Sequence, residues 1–424
     1  MAIEDYLSRG DRDLATYGPF LKGVNNRLPD AALAADMLRQ AVNCTLDDAG
    51  RLKRRSGFDR LQVSADGHSL NAGDEGVFFV DGALLRSYNA DLNSLSSIRS
   101  DLTIAAPMAW LPVNGEIYYS NAHQRGKIRS GALRDWGVEV PAGLPVLSTA
   151  TGVLPEGRYE VLCTFVNEDG EESGAGLSTG ITLASAAAIA VAGVPQPVSA
   201  EVVSVRVYMT PHNGEGVFYL AATLPVGMTS TTLTSFFPSK ELKTQFLVPP
   251  PAGNVLAYAG GRLFVASGRI VWYTEPFAYG LCAVYRNFMM FTADVTLMAG
   301  TKNGLYIAAD KTYFLSDADP DKAELRTIAP YGAAFGSLAP LPSQATASGV
   351  WTWRSDRGQV VADEAGGITN LQEAQLALRP CATGASVLLE EDGRKQIVSL
   401  GVPRTDSSAE ARDFVEMEVR RRAS

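Results

Sequence analysis

Four groups of residues in this sequence have the types and spacing that chemistry needs. Gly176-Leu177-Ser178-Thr179-Gly180 matches G-x-S-x-G, the turn that presents a nucleophilic serine when a strand precedes it and a helix follows. Here it falls between two predicted strands. The one later histidine is His212, with Glu201 the sole carboxylate between them, so the stretch reads as a Gly-rich loop. Asp317, Asp319 and Asp321 have the spacing that opens a calcium loop, but Lys322 and Ile328 stand where Gly and Glu are required; a solvated turn is expected. His68, His123 and His212 lie apart with no companion acids at ligand spacing, which predicts no metal site. Glu171-Glu172 could pair for acid–base work, yet they sit in the turn Asn-Glu-Asp-Gly-Glu-Glu-Ser and read as solvated. P-loop, Rossmann and kinase signatures are absent. The expectation is a non-enzyme without a cofactor.

One cluster of another kind remains. Arg51, Lys53, Arg54, Arg55 and Arg60 form a basic run in a chain with 46 Asp and Glu against 37 Lys and Arg, a formal charge of −9. On a strand, Arg51, Lys53 and Arg55 would share one face and Arg54 the other. The run reads equally as a docking patch for an acidic partner or DNA phosphate and as a strand with its charges in water. The acidic balance argues against a protein that coats nucleic acid.

The elements that must carry these residues are legible as repeats. Forty Gly and 22 Pro in 424 residues favour short strands and turns over long helices. Five segments share one pattern of turn, strand, turn and strand: Gly76–Asn89, Asn114–Gly131, Gly260–Pro276, Asn303–Pro320 and Gly349–Gly367, with Ala385–Gly401 a possible sixth. Gly76 to Gly115 is 39 residues, Gly260 to Gly304 is 44 and Gly304 to Gly349 is 45. A period of about 40–45 residues suits the four-stranded blade of a β-propeller, with an elongated sandwich or β-solenoid as the alternative. The period breaks between Gly131 and Gly260, where about seven short strands, among them Tyr159–Val166, Val203–Thr210, Val217–Pro225 and Ser230–Pro238, have the rhythm of an immunoglobulin or fibronectin-III sandwich.

The fold class expected is therefore all-β, a propeller of about five to seven blades with an inserted sandwich. The boundaries are 1–72 for an N-terminal docking segment and first strands, 73–142 and 249–403 for the propeller, 143–248 for the insert, and 404–424 for a closing strand and tail. In that tail Asp413–Arg420 sets Val415, Met417 and Val419 on one face and Glu416, Glu418 and Arg420 on the other, a half-buried strand by its alternation. Cys44, Cys163, Cys282 and Cys381 form no C-x-x-C pair, which predicts reduced thiols. The N-terminus shows no signal-peptide pattern, and the apolar run Ala184–Val194 is too short to span a bilayer.

The stretch Phe20–Phe58 is the most specific. Gly23 and Asn25-Asn26 suit a turn, Pro29-Asp30 a short helix with Leu33, Met37 and Ala41 on one face, and Asp47–Gly50 a hairpin turn into the basic strand. The order G-x-N-N, A-x-N, D-x-x-G-x-L and R-x-G resembles the opening of bacteriophage tail nozzle proteins, also called tail tubular or packaged-DNA stabilisation proteins. The later segments Gly261–Pro276, Gly304–Asp317 and Ala329–Ser337 are similar to blade motifs of that family. The resemblance implies a virion structural protein made in the bacterial cytoplasm. It implies a ring, usually of six copies, below the portal and adaptor, which retains packaged DNA and conducts it without reading its sequence. The matched positions are Gly23, Asn25, Asn26, Arg27, Asn43, Gly50, Arg51, Arg55 and Gly57, with roles in folding and docking. A rival reading is a receptor-binding tail protein that stacks carbohydrate on Trp110, Trp136, Trp272, Trp351 and Trp353, although Trp351 and Trp353 alternate on one strand in a way that equally suits packing.

Overall fold

The structure is a computed structural model that describes residues 18–404 apart from 48, 56, 58–61, 318, 321, 343–349 and 392–393. Arg60 and the residues Asp413–Arg420, where a closing strand is expected from the sequence, lie outside the described residues. The regular structure described is β-strand almost throughout; the one helical element among the described residues is a single 3-10 turn, Asp30–Ala32. The helix expected at Pro29-Asp30 stops there, because Leu33 has already turned extended. Leu33, Met37 and Ala41 therefore share no helical face.

Each of the five repeats becomes the central hairpin of a four-stranded antiparallel sheet. Sheet I runs Gly67–Gly73, Gly76–Asp81, Leu84–Asn89 and Ser94–Arg99; sheet II runs Ala109–Val113, Glu116–Ser120, Arg125–Arg129 and Ala132–Arg134. Sheet III runs Val255–Ala259, Arg262–Ser267, Ile270–Tyr273 and Phe288–Met290; sheet IV runs Leu297–Thr301, Gly304–Ala308, Thr312–Leu315 and Leu325–Ala329. Sheet V runs Ala339–Pro340, Trp351–Ser355, Gly358–Ala362 and Ile368–Asn370. The turns set the register. Asn114-Gly115 holds φ +53° and +78° and Gly260-Gly261 +52° and +76°, the left-handed pair that a two-residue hairpin turn needs to match strand twist.

The possible sixth repeat does not follow suit. Cys381–Glu391 and Arg394–Pro403 form a two-stranded sheet alone. The strands are twice the usual length and no described strand flanks them, so the hairpin pattern was present without the outer pair.

The chain divides into two compact units, one of residues up to Val63 with those from Ile328 onward, the other Ser64–Thr327. Within the second unit the sheets stack by strand alternation. Ile117 and Tyr119 point into a core with Phe78, Val80 and Leu85 of sheet I, while Tyr118 between them joins Leu256, Leu263 and Val265 of sheet III. One strand thus feeds two cores, as period-2 geometry demands. Sheet IV meets sheet III where Gly300 leaves no room for a side chain: a Cβ there would fall 1.7 Å from the Tyr258 carbonyl oxygen.

Between sheets II and III the chain builds two more sheets. One holds Val146–Leu154, Ala187–Ala192 and Ser230–Leu233; the other holds Thr179–Leu183, Gly157–Asn167, Val202–Met209 and Tyr219–Pro225. Both close on one core that includes Val161, Cys163, Phe165, Ile189, Val191, Val205 and Val207. Burial pushes the Cys163 thiol up to about 12, so it packs as a small apolar side chain. The outer face of the four-stranded sheet carries a second cluster, Leu162, Tyr208, Phe218 and Leu242.

Candidate functional site

The matched N-terminal residues are brought together with a segment 350 positions away. Asn26 donates its backbone N–H to Gln375 O (3.1 Å) and its Nδ2 to Ala377 O (3.0 Å), and its Oδ1 accepts Ala377 N–H (2.6 Å). Arg27 Nε donates to Leu376 O (3.1 Å). Asn25 is buried and its Oδ1 accepts the N–H groups of Arg27 and Leu28 (3.1 Å each), an Asx turn that aims its two neighbours at the 375–377 backbone. Leu38 donates its backbone N–H to Gly23 O (2.8 Å), which closes this loop. Arg39, which the sequence reading did not single out, braces it by donating to Asn26 O (3.0 Å) while its guanidinium pairs with Asp30. A polar residue nine positions from an acid gives no periodic signal, so its role could not be read beforehand.

The other matched positions serve the hairpin Cys44–Leu46/Leu52–Arg54. Gly50 has φ +71° and accepts Phe20 N–H (2.8 Å); a Cβ there would meet Phe20 N at 2.8 Å. Asn43, at φ +51°, accepts Arg55 N–H (3.1 Å). Gly57 faces open space. Arg51, Lys53, Arg54 and Arg55 are all exposed. The strand covers only Leu52–Arg54 rather than all of Arg51–Arg55, and both of its faces are open. The basic residues are therefore presented around a short hairpin instead of being sorted onto one face.

A second polar assembly was misread. Glu171 and Glu172 are not a solvated pair. Glu172 keeps 10% of its side-chain exposure, accepts Tyr208 OH (2.6 Å) and Thr164 Oγ1 (2.8 Å), and pairs with Arg206 (2.5 Å) and Lys240 (2.7 Å). Burial works to raise this carboxyl, but those donors and cations outweigh it and hold it below the usual glutamate range. Glu171 faces the other way, toward Lys127, whose ammonium is 2% exposed and sits 3.3 Å from Glu116 and 3.4 Å from Glu171. Arg129 bridges Glu116 and Asp169 (2.6 Å each), and Arg134 pairs with Glu168 (2.8 Å). The turn at 167–172 is thereby locked onto sheet II. Adjacent acids in a Gly-containing turn look identical in sequence whether or not cations lie opposite.

The remaining candidates do not converge on chemistry. Ser178 is exposed, donates to Glu160 Oε2 (3.2 Å) and leads into a strand rather than a helix. Asp319 lies 3.7 Å from Arg262 and 3.0 Å from Lys322, and Asp317 accepts its N–H, while Asp321 lies outside the described residues. Among the described residues no group of three or more His, Cys, Asp or Glu could hold a metal ion. His212 rests beside Asn213 at the rim of a shallow depression near Gly157. Trp136 and Trp353 are buried, Trp136 with its Nε1 donating to Tyr279 O (2.8 Å), so neither offers a stacking face. No helix among the described residues is long and apolar enough to cross a membrane.

No protein-family model matches the sequence, and no curated protein matches it. Solved structures superpose loosely. BBS1N in complex with ARL6DN aligns at 10% identity over 81% of this chain and 93% of that one, with TM-score 0.29. Saccharomyces cerevisiae Sqt1 aligns at 10% identity over 78% and 81%, with TM-score 0.29. The N-terminal domain of Nup159 aligns at 11% identity over 79% and 73%, with TM-score 0.31. Agreement this loose carries no functional argument.

Proposed function

We propose that this chain is a structural protein of a bacteriophage tail, a nozzle-like β-propeller with an inserted immunoglobulin- or fibronectin-III-like sandwich. Identical subunits pack head-to-tail, and heterologous contacts close into a ring when the rotation fits; the family resemblance makes six the expected number. The ring continues the channel of the portal and its adaptor, retains packaged DNA and conducts it at ejection. The observation that carries the reading is the coincidence, in one chain, of five hairpin-centred four-stranded sheets with an N-terminal G-x-N-N-R segment that clasps residues 375–377 of the same chain.

The chemistry of such a conduit is repulsion rather than grip. Six copies at −9 each bring −54 formal charges; if a fair share of these lines the passage, a wall of that sign keeps phosphate from sticking within the ~8 Å over which salt leaves the field unscreened. Bond-breaking residues have no part in it. The carbohydrate-binding alternative has lost two of its five tryptophan platforms to the interior. Light scattering on the purified protein, alone and mixed with portal–adaptor complex, tests the proposal. A mass several times that of the 45.2 kDa chain, or capture onto the adaptor, is expected. A persistent monomer that binds no virion component would overturn it.

A further inference from the structure

The two-stranded ribbon Cys381–Glu391/Arg394–Pro403 has an inner and an outer side of opposite character. Inward, the Ser386 and Ser399 hydroxyls meet at 2.7 Å, Ser399 donates to Gln359 Oε1 (2.7 Å), and Gln359 donates to Thr352 (2.6 Å). Outward, the register places Ala385 opposite Leu400 and Val387 opposite Val398, with Leu389 and Val402 continuing the stripe. These side chains stand in the open: Val387 56%, Leu389 43%, Leu400 51% and Val402 59% exposed. A continuous apolar stripe on a narrow ribbon with no described strand along the outer edge of Arg394–Pro403 is a surface that water disfavours and that invites pairing.

The chain itself holds a matching occupant. Twenty residues follow Arg404, directly after the ribbon's second strand, and they lie outside the described residues. Within them Asp413–Arg420 alternates apolar Val415, Met417 and Val419 with charged Glu416, Glu418 and Arg420. The polar connection 405–412, at about 3.3–3.6 Å per residue, reaches at most ~29 Å. The ribbon strand is ~33 Å long at ~3.3 Å per residue. Folding back onto the ribbon is therefore within reach of the same chain. Eight residues, if extended, would be long enough to cover the stripe with the apolar side and leave the charges in water.

We propose that residues 413–420 dock on the outer face of this ribbon, with Val415, Met417 and Val419 against Val387, Val398, Leu400 and Val402. The inference stands apart from the ring reading, because it concerns one chain and its own tail.

The test uses the full-length protein with Cys44→Ser as background and compares binding of an apolar fluorescent dye across variants. Val415→Ser/Met417→Ser/Val419→Ser is expected to raise dye binding several-fold, to the level of a chain ending at Arg404, while Glu416→Ser/Glu418→Ser leaves it unchanged. A Leu400→Cys/Met417→Cys pair is expected to form an intrachain disulfide at a yield independent of protein concentration, and Leu400→Cys/Glu418→Cys is not. Dye binding indifferent to the triple substitution overturns the proposal, as does a disulfide that forms only between copies, which would assign the stripe to a second molecule.

Discussion

Two joints in this molecule fasten segments that are distant in sequence, and they do so with opposite physics. The clasp at Asn26 and Arg27 is made of amide and guanidinium groups on backbone carbonyls, part-exposed. The joint of the insert on sheet II is made of charges withdrawn from water: Lys127 between Glu116 and Glu171, with Arg129 and Asp169 at its edge. A part-exposed clasp of this kind contributes roughly 1 kcal/mol per amide bond and about 1.5–3 kcal/mol for the bond from the charged guanidinium, and loses little more when broken. A buried ionic joint adds little net stability over an apolar one, yet breaking one side of it is costly, because an uncompensated charge is left behind. The first kind tolerates substitution; the second enforces one seating.

The largest expected effect follows from that asymmetry. Glu116 accepts Tyr118 OH (2.6 Å) as well as pairing with Lys127 and Arg129. Glu116→Ala should destabilise by about 3–5 kcal/mol, read as a lowered urea midpoint, because the Lys127 ammonium then keeps only half-exposed Glu171. Adding Lys127→Met to Glu116→Ala should recover a large part of the loss. If the double variant is as unstable as the sum of the singles, the contrast between the two joints fails.

Acid should act on the same side of the comparison. Burial raises the Glu116 carboxyl, but the Tyr118 hydroxyl, Lys127 and Arg129 prevail and leave it below the usual range; Glu172 behaves alike. A carboxyl depressed on folding contributes stability that is full above its unfolded value of about 4.3. That contribution is lost as pH falls from there through the lower folded value. The insert and its joint should therefore loosen below about pH 4.3, while the Asn26–Ala377 bonds, which involve no titrating group, should not. Hydrogen exchange across pH 3–6 distinguishes them. Glu201, raised chiefly by burial, runs in the opposite direction, and the Glu116→Gln variant should remove the share of the acid response that belongs to the joint while leaving the share carried by Glu172.

What was legible in the sequence follows the same divide. Turn residues and period-2 alternation are local, and they placed the central hairpin of all five sheets, from Gly76–Asp81 to Gly358–Ala362, and four of the insert strands, Gly157–Asn167, Val202–Met209, Tyr219–Pro225 and Ser230–Leu233. The outer strands, such as Ala132–Arg134 and Ile368–Asn370, are too short to alternate visibly and exist because a neighbour offers an edge. The ribbon differs because its hairpin looks like the others while no described strand flanks it. Asn25, Asn26 and Arg27 could be picked out as a motif, but nothing local pointed to Gln375–Ala377 as their partner. Glu172 was missed for the converse reason: its cations, Arg206 and Lys240, come from other strands and straps, and burial of a charge is a property of the fold.

A smaller effect tests the amide part of the clasp. Asn26→Ala removes both side-chain bonds to Ala377 and should cost about 1–2 kcal/mol, seen as faster amide exchange at Leu376 and Ala377 with the insert unaffected. Asn26→Asp keeps the acceptor for Ala377 N–H and loses the donor, so it should fall between. A loss comparable to that of Glu116→Ala would show that this clasp, too, seals a buried charge.

The smallest expected effect is the most informative about docking. Arg54 is exposed on a three-residue strand whose partner strand offers it no carboxylate in the register Cys44↔Arg54, Thr45↔Lys53, Leu46↔Leu52. Exposed substitutions of this kind stay within about ±0.5 kcal/mol, so Arg54→Glu should leave the urea midpoint where it is. Any change in capture onto the portal–adaptor complex then reports recognition alone. If the basic hairpin docks an acidic surface, capture should weaken and the remaining binding should lose part of its salt sensitivity, since each screened contact falls off within ~8 Å at physiological ionic strength. If capture and its salt response are untouched, the basic run has no part in docking, which must then lie elsewhere on the subunit.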